Sequence, residues 1–210
     1  MQKLFSIISF VLLLLVQTLV CAENSAAKIL ILGDSLSAAY NIPIEKSWPE
    51  LFRTNMRASY PQSSVINASI SGETTFGGVQ RLAKLLDKHA PSHLIIELGG
   101  NDGLRGLNFT QSTANLSRMV AQAQQQRISV LLIGVRMPPN FGVAYNLRFQ
   151  QIFESVTAQH KIHYLPRFLE GVAAGEARLM QNDGIHPTAE AQPILADKVF
   201  DAMQLVLSNH

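Results

Sequence analysis

An aspartate and a histidine lie three residues apart near the end of the chain, in Asp183-Gly184-Ile185-His186-Pro187. The glycine and the proline favour a loop that can bring the carboxylate beside the imidazole. The carboxylate would then accept a hydrogen bond from one ring nitrogen, leaving the other nitrogen free to take a proton from a hydroxyl group. The pattern therefore predicts a general base, and the alternative is a surface loop whose histidine is incidental.

A serine that such a base could activate lies at the other end of the chain, in Gly33-Asp34-Ser35-Leu36-Ser37. Gly33 ends a short apolar run, so Ser35 is predicted to follow a strand and to begin a helix-like segment. Backbone N–H groups at such a position stabilise developing negative charge. By itself the segment has a commoner explanation, in which Asp34 and Ser35 only cap a helix.

Two further segments could donate hydrogen bonds to an anion. Gly72 lets the backbone turn its N–H group towards a ligand, and Asn101, within Gly99-Gly100-Asn101-Asp102-Gly103, offers a side-chain amide. Each segment alone is also ordinary turn chemistry. Together the four segments follow the order nucleophile, donor, donor and acid–base pair, and each follows a strand or closes the fold. They therefore predict a single active site.

Five short apolar runs alternate with five longer segments in which apolar residues lie three and four positions apart. Runs that are apolar throughout are typical of strands buried on both faces, and the longer spacing is typical of helices that cover a sheet. The alternation predicts an α/β fold whose ligands bind beyond the carboxyl ends of parallel strands. The predicted strands are 28–32, 63–68, 93–98, 128–135 and 162–165, and the predicted helices are 47–59, 75–89, 110–126, 145–159 and 189–207.

The composition favours one globular domain without a nucleic-acid partner. The 210 residues include 17 basic and 15 acidic side chains, a formal net charge of +2, and 47% of the chain is apolar. A charge this close to zero gives no electrostatic reason to expect binding to nucleic acid. No Walker-type phosphate loop and no dinucleotide fingerprint occurs. The sequence also contains no repeat and no linker, which predicts one domain over residues 23–210.

The N-terminal segment has the pattern of a secretory signal peptide. Lys3 precedes an almost continuous apolar run, Leu4 to Val20, and small residues follow near Ala22. We expect cleavage after residue 22, although Ser25-Ala26-Ala27 offers a second site and a retained membrane anchor is the alternative. Cleavage would remove the single cysteine, so the mature protein would be neither a thiol enzyme nor disulfide-bonded. The expected location is periplasmic or secreted, with no stable membrane anchor after signal cleavage.

The segments around Ser35, Gly72, Asn101 and Asp183–His186 resemble the four motif blocks of the GDSL, or SGNH, hydrolases. Finer matches at 36–40, 101–106 and 138–146 resemble the periplasmic multifunctional thioesterase, arylesterase and lysophospholipase branch of that family. The resemblance implies a flavodoxin-like three-layer α/β/α sandwich with five parallel strands. It implies no metal and no organic cofactor.

The same resemblance implies the roles of the site residues. Ser35 would be the nucleophile, His186 the general base and Asp183 the residue that orients it. The oxyanion hole would consist of the backbone N–H groups of Ser35 and Gly72 and the side chain of Asn101. The implied substrates are small-molecule or lipid acyl esters, including thioesters, lysophospholipids and aryl esters.

Apolar residues after the third and fourth strands lie at the predicted active-site end and could line an acyl-binding cleft. Ordinary loop packing is the alternative explanation for them. The candidate substrate-binding residues are Leu104, Met137, Pro138 and Phe141.

Two other functions use the same residues. An esterase that removes acetyl groups from carbohydrates would share all four blocks and would differ in its preference for acyl-chain length. A noncatalytic ligand-binding protein on the same sheet would differ in that Ser35 would not react with a fluorophosphonate.

Overall fold

The computed structural model describes residues 26–173 and 177–208, so the predicted signal peptide lies outside the described residues. At its centre, five parallel strands form one sheet in the order β2-β1-β3-β4-β5. This order is that of flavodoxin-like folds and confirms the predicted fold class. The strands are β1 (Lys28–Gly33), β2 (Ser64–Asn67), β3 (His93–Glu97), β4 (Ser129–Ile133) and β5 (His163–Leu165).

The three central strands are apolar along most of their length because helices cover both of their faces. Ile29 to Leu32 of β1 and Leu94 to Ile96 of β3 are completely buried, and β4 is buried from Val130 to Ile133. The edge strands β2 and β5 are less buried, which agrees with their weaker hydrophobic pattern.

Helices on the two faces of the sheet complete three layers. The helices α1 and α6 contact each other, whereas α2 contacts α4 and α4 contacts α5. All five predicted long helices are present, with ends shifted by a few residues. No helix in the described ranges has both the length and the apolar character of a membrane span. The helices are α1 (Trp48–Ser59), α2 (Thr75–His89), α3 (Gly100–Leu104), α4 (Phe109–Gln125), α5 (Val143–His160) and α6 (Gln192–Ser208).

Two local predictions differ from the structure. The residues after Ser35 form consecutive turns instead of a helix, because Ala39 and Asn41 have left-handed φ angles of 58° and 54°. Conversely, the predicted turn at 99–103 contains the short helix α3. The Asp102 carboxylate holds this helix in place by accepting hydrogen bonds from the Thr75 N–H group at 2.9 Å and the Ser112 hydroxyl at 2.8 Å.

A buried aromatic ring supports the turn that leads into α3. Phe153 of α5 is fully buried, and its ring centre lies 5.3 Å from that of Phe149 in an edge-on contact and 6.5 Å from that of Tyr164. A Cβ atom at Gly99 would lie 3.1 Å from the tip of the Phe153 ring. Gly99 has a φ of 116°, so a side chain there would be both strained and crowded.

We predict that Phe153→Ala lowers the free energy of unfolding by about 3–5 kcal/mol, because it leaves a cavity beneath this turn. The matched control is Phe76→Ala, since Phe76 is 60% exposed and its loss should cost within about 0.5 kcal/mol. Urea unfolding of the two variants measures the difference. Equal losses would contradict the central position that the structure assigns to Phe153.

Candidate active site

The four predicted motif segments meet at the carboxyl edge of the sheet. Ser35 follows β1, Gly72 follows β2, and Asn101 lies in α3, directly after β3. Asp183 and His186 lie in the segment between β5 and α6. Parallel strands end at the same edge, so residues distant in sequence come together there.

A continuous line of hydrogen bonds joins Ser35, His186 and Asp183. The Oγ atom of Ser35 lies 2.8 Å from Nε2 of His186, and Nδ1 of the same ring lies 2.7 Å from Oδ2 of Asp183. With the proton on Nδ1, the ring donates to the carboxylate, and Nε2 can accept the serine proton. The structure therefore brings together the three residues that the sequence predicts as catalytic.

Local hydrogen bonds keep the Asp183 carboxyl group ionised. Partial burial alone would raise its pKa, but the backbone N–H and ring of His186 and the backbone N–H of Ile185 outweigh that effect, and the pKa is lowered. The two backbone donors lie 3.0 Å and 2.9 Å from Oδ1. Gly184 has a φ of 67°, which lets the loop turn back so that both N–H groups face the carboxylate.

Contacts that the sequence did not reveal hold this loop in place. The backbone N–H of Gln181 donates to the carbonyl of His186 at 2.8 Å, and its side chain donates to the carbonyl of Tyr40 at 3.0 Å. The Tyr40 ring packs against the His186 ring, with centroids 4.3 Å apart. Tyr40 and His186 are far apart in the sequence, and no local pattern connects them.

The predicted oxyanion donors at Ser35, Gly72 and Asn101 have hydrogen-bonding capacity to spare. Within residues 26–173 and 177–208, neither the Ser35 N–H group nor the Gly72 N–H group donates to another protein atom. Gly72 has a φ of 78°, and Arg105 donates to its carbonyl oxygen at 2.9 Å. Asn101 Nδ2 donates to Oδ2 of Asp34 at 3.0 Å, which leaves the second amide hydrogen for a ligand.

Two buried acids lie behind these donors. Asp34 is 2% exposed, and burial raises its pKa to about 6, although hydrogen bonds from the Leu36 N–H and the Asn101 amide oppose that rise. Glu97, at the end of β3, is 1% exposed, and burial together with the nearby charge of Asp34 raises its pKa well above its ordinary value. The sequence analysis missed Glu97 as a site residue because it ends an apolar run that predicts a strand.

A cavity of about 300 Å³ opens beside Ser35 and Asn101. Three of the predicted substrate-binding residues, Leu104, Met137 and Pro138, line it. The fourth, Phe141, is not among the lining residues, and its ring packs against Tyr145 with centroids 5.2 Å apart, so its role in substrate binding stays a prediction. Additional lining residues that the sequence analysis did not single out include Val135, Leu169, Met180 and Ile185, together with the charged Arg136, Arg167 and Glu170.

The described part of the chain contains no group of three or more histidine, cysteine, aspartate or glutamate side chains arranged to hold a metal ion. The acid–base groups of the site are instead paired with each other or with backbone N–H groups.

We predict that Tyr40→Ala slows the reaction of Ser35 with a fluorophosphonate about 2- to 10-fold, because an aromatic contact contributes about 0.5–1.5 kcal/mol to holding the His186 ring. Tyr40→Phe is the matched control, since it keeps the ring and should react at the native rate. Labelling kinetics followed by intact mass measure both variants. A native rate for Tyr40→Ala, or equal slowing in both variants, would show that the ring contact does not orient His186.

Comparison with known proteins agrees with this geometry. Residues 31–193 match the model of the GDSL-like lipase/acylhydrolase family. The chain is 43% identical over 185 residues to an arylesterase of Vibrio mimicus, which covers 88% of this chain and 91% of the relative. It is 39% identical over 186 residues to the thioesterase 1/protease 1/lysophospholipase L1 of Escherichia coli K12, covering 89% of this chain and 87% of the relative. The crystal structure of TesA superposes with a TM-score of 0.83 at 40% identity, covering 85% of this chain and 99% of TesA. The chain therefore belongs to the GDSL-like lipase/acylhydrolase family and is a serine-type ester hydrolase.

Proposed function

We propose that this protein hydrolyses acyl esters and thioesters through an acyl-enzyme intermediate on Ser35. The observation that supports this most strongly is the line of hydrogen bonds from Ser35 through His186 to Asp183, with 2.8 Å and 2.7 Å between the joined atoms. Ser35 also lines a cavity of about 300 Å³, the lower end of the range typical of small-molecule sites.

Ser35 attacks the acyl carbonyl carbon while Nε2 of His186 takes the hydroxyl proton. The N–H groups of Ser35 and Gly72 and the free amide hydrogen of Asn101 stabilise the oxyanion, and losing one such donor costs about 100- to 1,000-fold in turnover. The protonated His186 then gives its proton to the departing alcohol or thiol. His186 next takes a proton from a water molecule, which attacks the acyl carbon. The carboxylic acid leaves, and the proton on His186 returns to the Ser35 oxygen. Asp183 keeps the ring in the required tautomer at each stage.

The proposed substrates are aryl esters, fatty acyl thioesters and lysophospholipids. The names of the arylesterase and of the thioesterase/lysophospholipase, both similar over most of the chain, support this range. The apolar walls contributed by Leu104, Met137 and Pro138 suit an acyl chain. The mechanism uses no cofactor or metal, and a net charge of +2 gives no reason to propose a nucleic-acid partner.

We further propose that residues 1–22 are a signal peptide and that residues 23–210 form one exported hydrolase domain, periplasmic or secreted and without a stable membrane anchor. The charged residue and apolar run at the N-terminus support this proposal. N-terminal sequencing of the protein recovered from outside the cytoplasm tests it.

Rates on p-nitrophenyl esters from acetyl to palmitoyl test the function. We expect the native protein to prefer medium or long acyl chains and Ser35→Ala to be inactive, since the acyl-enzyme cannot form. Ser71→Ala, at an exposed serine, is the matched control and should retain native rates. Cleavage of acetate alone would favour the carbohydrate O-acetyl esterase, and an active Ser35→Ala variant would overturn the mechanism.

Asp183→Asn should lower kcat about 10³- to 10⁴-fold with little change in KM, because an amide at this position donates to Nδ1 and forces the proton onto Nε2. The exposed Asp87→Asn on α2 is the control and should leave kcat unchanged. Steady-state kinetics on the preferred ester measure both. A native kcat in Asp183→Asn would show that His186 keeps its tautomer without the carboxylate.

A further inference from the structure

The carboxyl groups of Asp34 and Glu97 are in contact behind the site, and the proposed mechanism uses neither of them. Both side chains are almost fully buried, the Asp34 N–H group donates to Oε2 of Glu97 at 3.3 Å, and the two carboxyl groups lie within hydrogen-bonding reach of each other. Two ionised carboxylates in such contact repel strongly, so a buried pair of this kind retains a proton.

The surrounding hydrogen bonds indicate which acid holds the proton. Asp34 accepts at both oxygens, from the Leu36 N–H at 3.0 Å and from the Asn101 amide at 3.0 Å, and such donors favour an ionised carboxylate. Glu97 accepts through a single oxygen, Oε2, from the Ser37 hydroxyl at 2.7 Å and from the Asp34 N–H at 3.3 Å. Its other oxygen is therefore available to carry a proton, which it can donate to the Asp34 side chain.

The groups around the pair supply no permanently charged cation to replace that proton. His186 lies across Ser35 from Asp34, and a positive charge on its ring lowers the pKa of Asp34. Tyr164 of β5, which lies against Gly134, is neutral because burial raises its pKa to about 12. On α3, Asp102 faces Thr75 and Ser112. Among the described residues, no lysine or arginine forms an ion pair with either buried acid.

We propose that Glu97 is a positioning residue whose protonated carboxyl group donates a hydrogen bond to Asp34 and thereby keeps the Asn101 amide directed at the oxyanion. This inference rests on the proposed function of Asn101. Asp34 follows β1 directly and also bonds the Leu36 N–H group, so the position of its side chain affects both the backbone around Ser35 and the Asn101 amide. Loss of the Glu97 proton would place two adjacent negative charges in the core and push the two side chains apart.

The proton also has a consequence for stability. The folded-state pKa of Glu97 is raised above its ordinary value of 4.5. Between pH 4.5 and the raised pKa, the folded protein therefore binds more protons than the unfolded protein. The free energy of unfolding falls as the pH rises through that interval. Glutamine at position 97 would keep the hydrogen bonds, since its oxygen can accept from Ser37 and its amide can donate to Asp34, but it has no proton to lose.

The first test compares Glu97→Gln and Glu97→Ala by the pH dependence of kcat and KM on a p-nitrophenyl ester. We expect Glu97→Gln to remain within about threefold of native activity near neutral pH and to stay active at higher pH than the native protein. We expect Glu97→Ala to lose about 10- to 100-fold in kcat with little change in KM, since a misdirected oxyanion donor affects the transition state more than substrate binding. An alkaline limb of Glu97→Gln that coincides with the native one would overturn the proposal, as would a native kcat in Glu97→Ala.

The second test needs no activity and remains available if Glu97→Ala does not fold. Thermal unfolding midpoints of the native protein and Glu97→Gln are measured from acidic to alkaline pH. The expected result is a difference that grows in favour of Glu97→Gln as pH rises above 4.5. If the unfolding midpoints of the two proteins changed in parallel with pH, Glu97 would not hold a proton in the folded state above its ordinary pKa. These curves do not involve Ser35, so they distinguish a failure of this inference from a failure of the proposed function, which an active Ser35→Ala variant would reveal.

Discussion

The parallel pairing of β1 with β3 places Gly33 opposite Glu97, and the geometry of the site depends on this register. The residues that follow the two strands are Asp34 and Ser35 on one side and the turn into Asn101 on the other. Because the strands are neighbours and end together, the Asp34 N–H reaches Glu97 and the Asn101 amide reaches Asp34. A shift of one residue in either strand would turn these side chains to the opposite face of the sheet. The completely buried apolar residues of both strands hold the register.

Three carboxyl groups near Ser35 differ in pKa because their environments differ. Asp183 lies near the surface, and backbone N–H groups that face it lower its pKa. Asp34 and Glu97 lie in the core, and burial raises the pKa of both. An ionised group beside His186 suits the orientation of a base, whereas a protonated group in the core can donate a hydrogen bond. Burial and hydrogen bonding thus assign different tasks to chemically similar side chains.

The cavity has a mixed lining that bears on which substrates it admits. Apolar residues such as Leu104 and Met137 line it, but Arg136, Arg167 and Glu170 also border it, and Arg167 is paired with Glu170. An acyl chain would contact the apolar part, while the charged part could contact the remainder of a larger substrate. Phe141 is not among the lining residues; its ring packs against Tyr145, whose hydroxyl donates to the Gly103 carbonyl at 2.6 Å.

The sequence by itself determined those features that depend on neighbours along the chain. Apolar runs and helical spacing predicted every long element. The separation of three positions from Asp183 to His186 was enough to predict their contact, because a short loop can bring the two side chains together locally. The tertiary structure decided the features that depend on strand order and register. Examples are the packing of Tyr40 on His186, the pairing of Glu97 with Asp34, and the turns after Ser35 in place of a helix. Glu97 looked like the end of a strand because its sequence neighbours are apolar, and only the adjacent strand shows that it faces another acid.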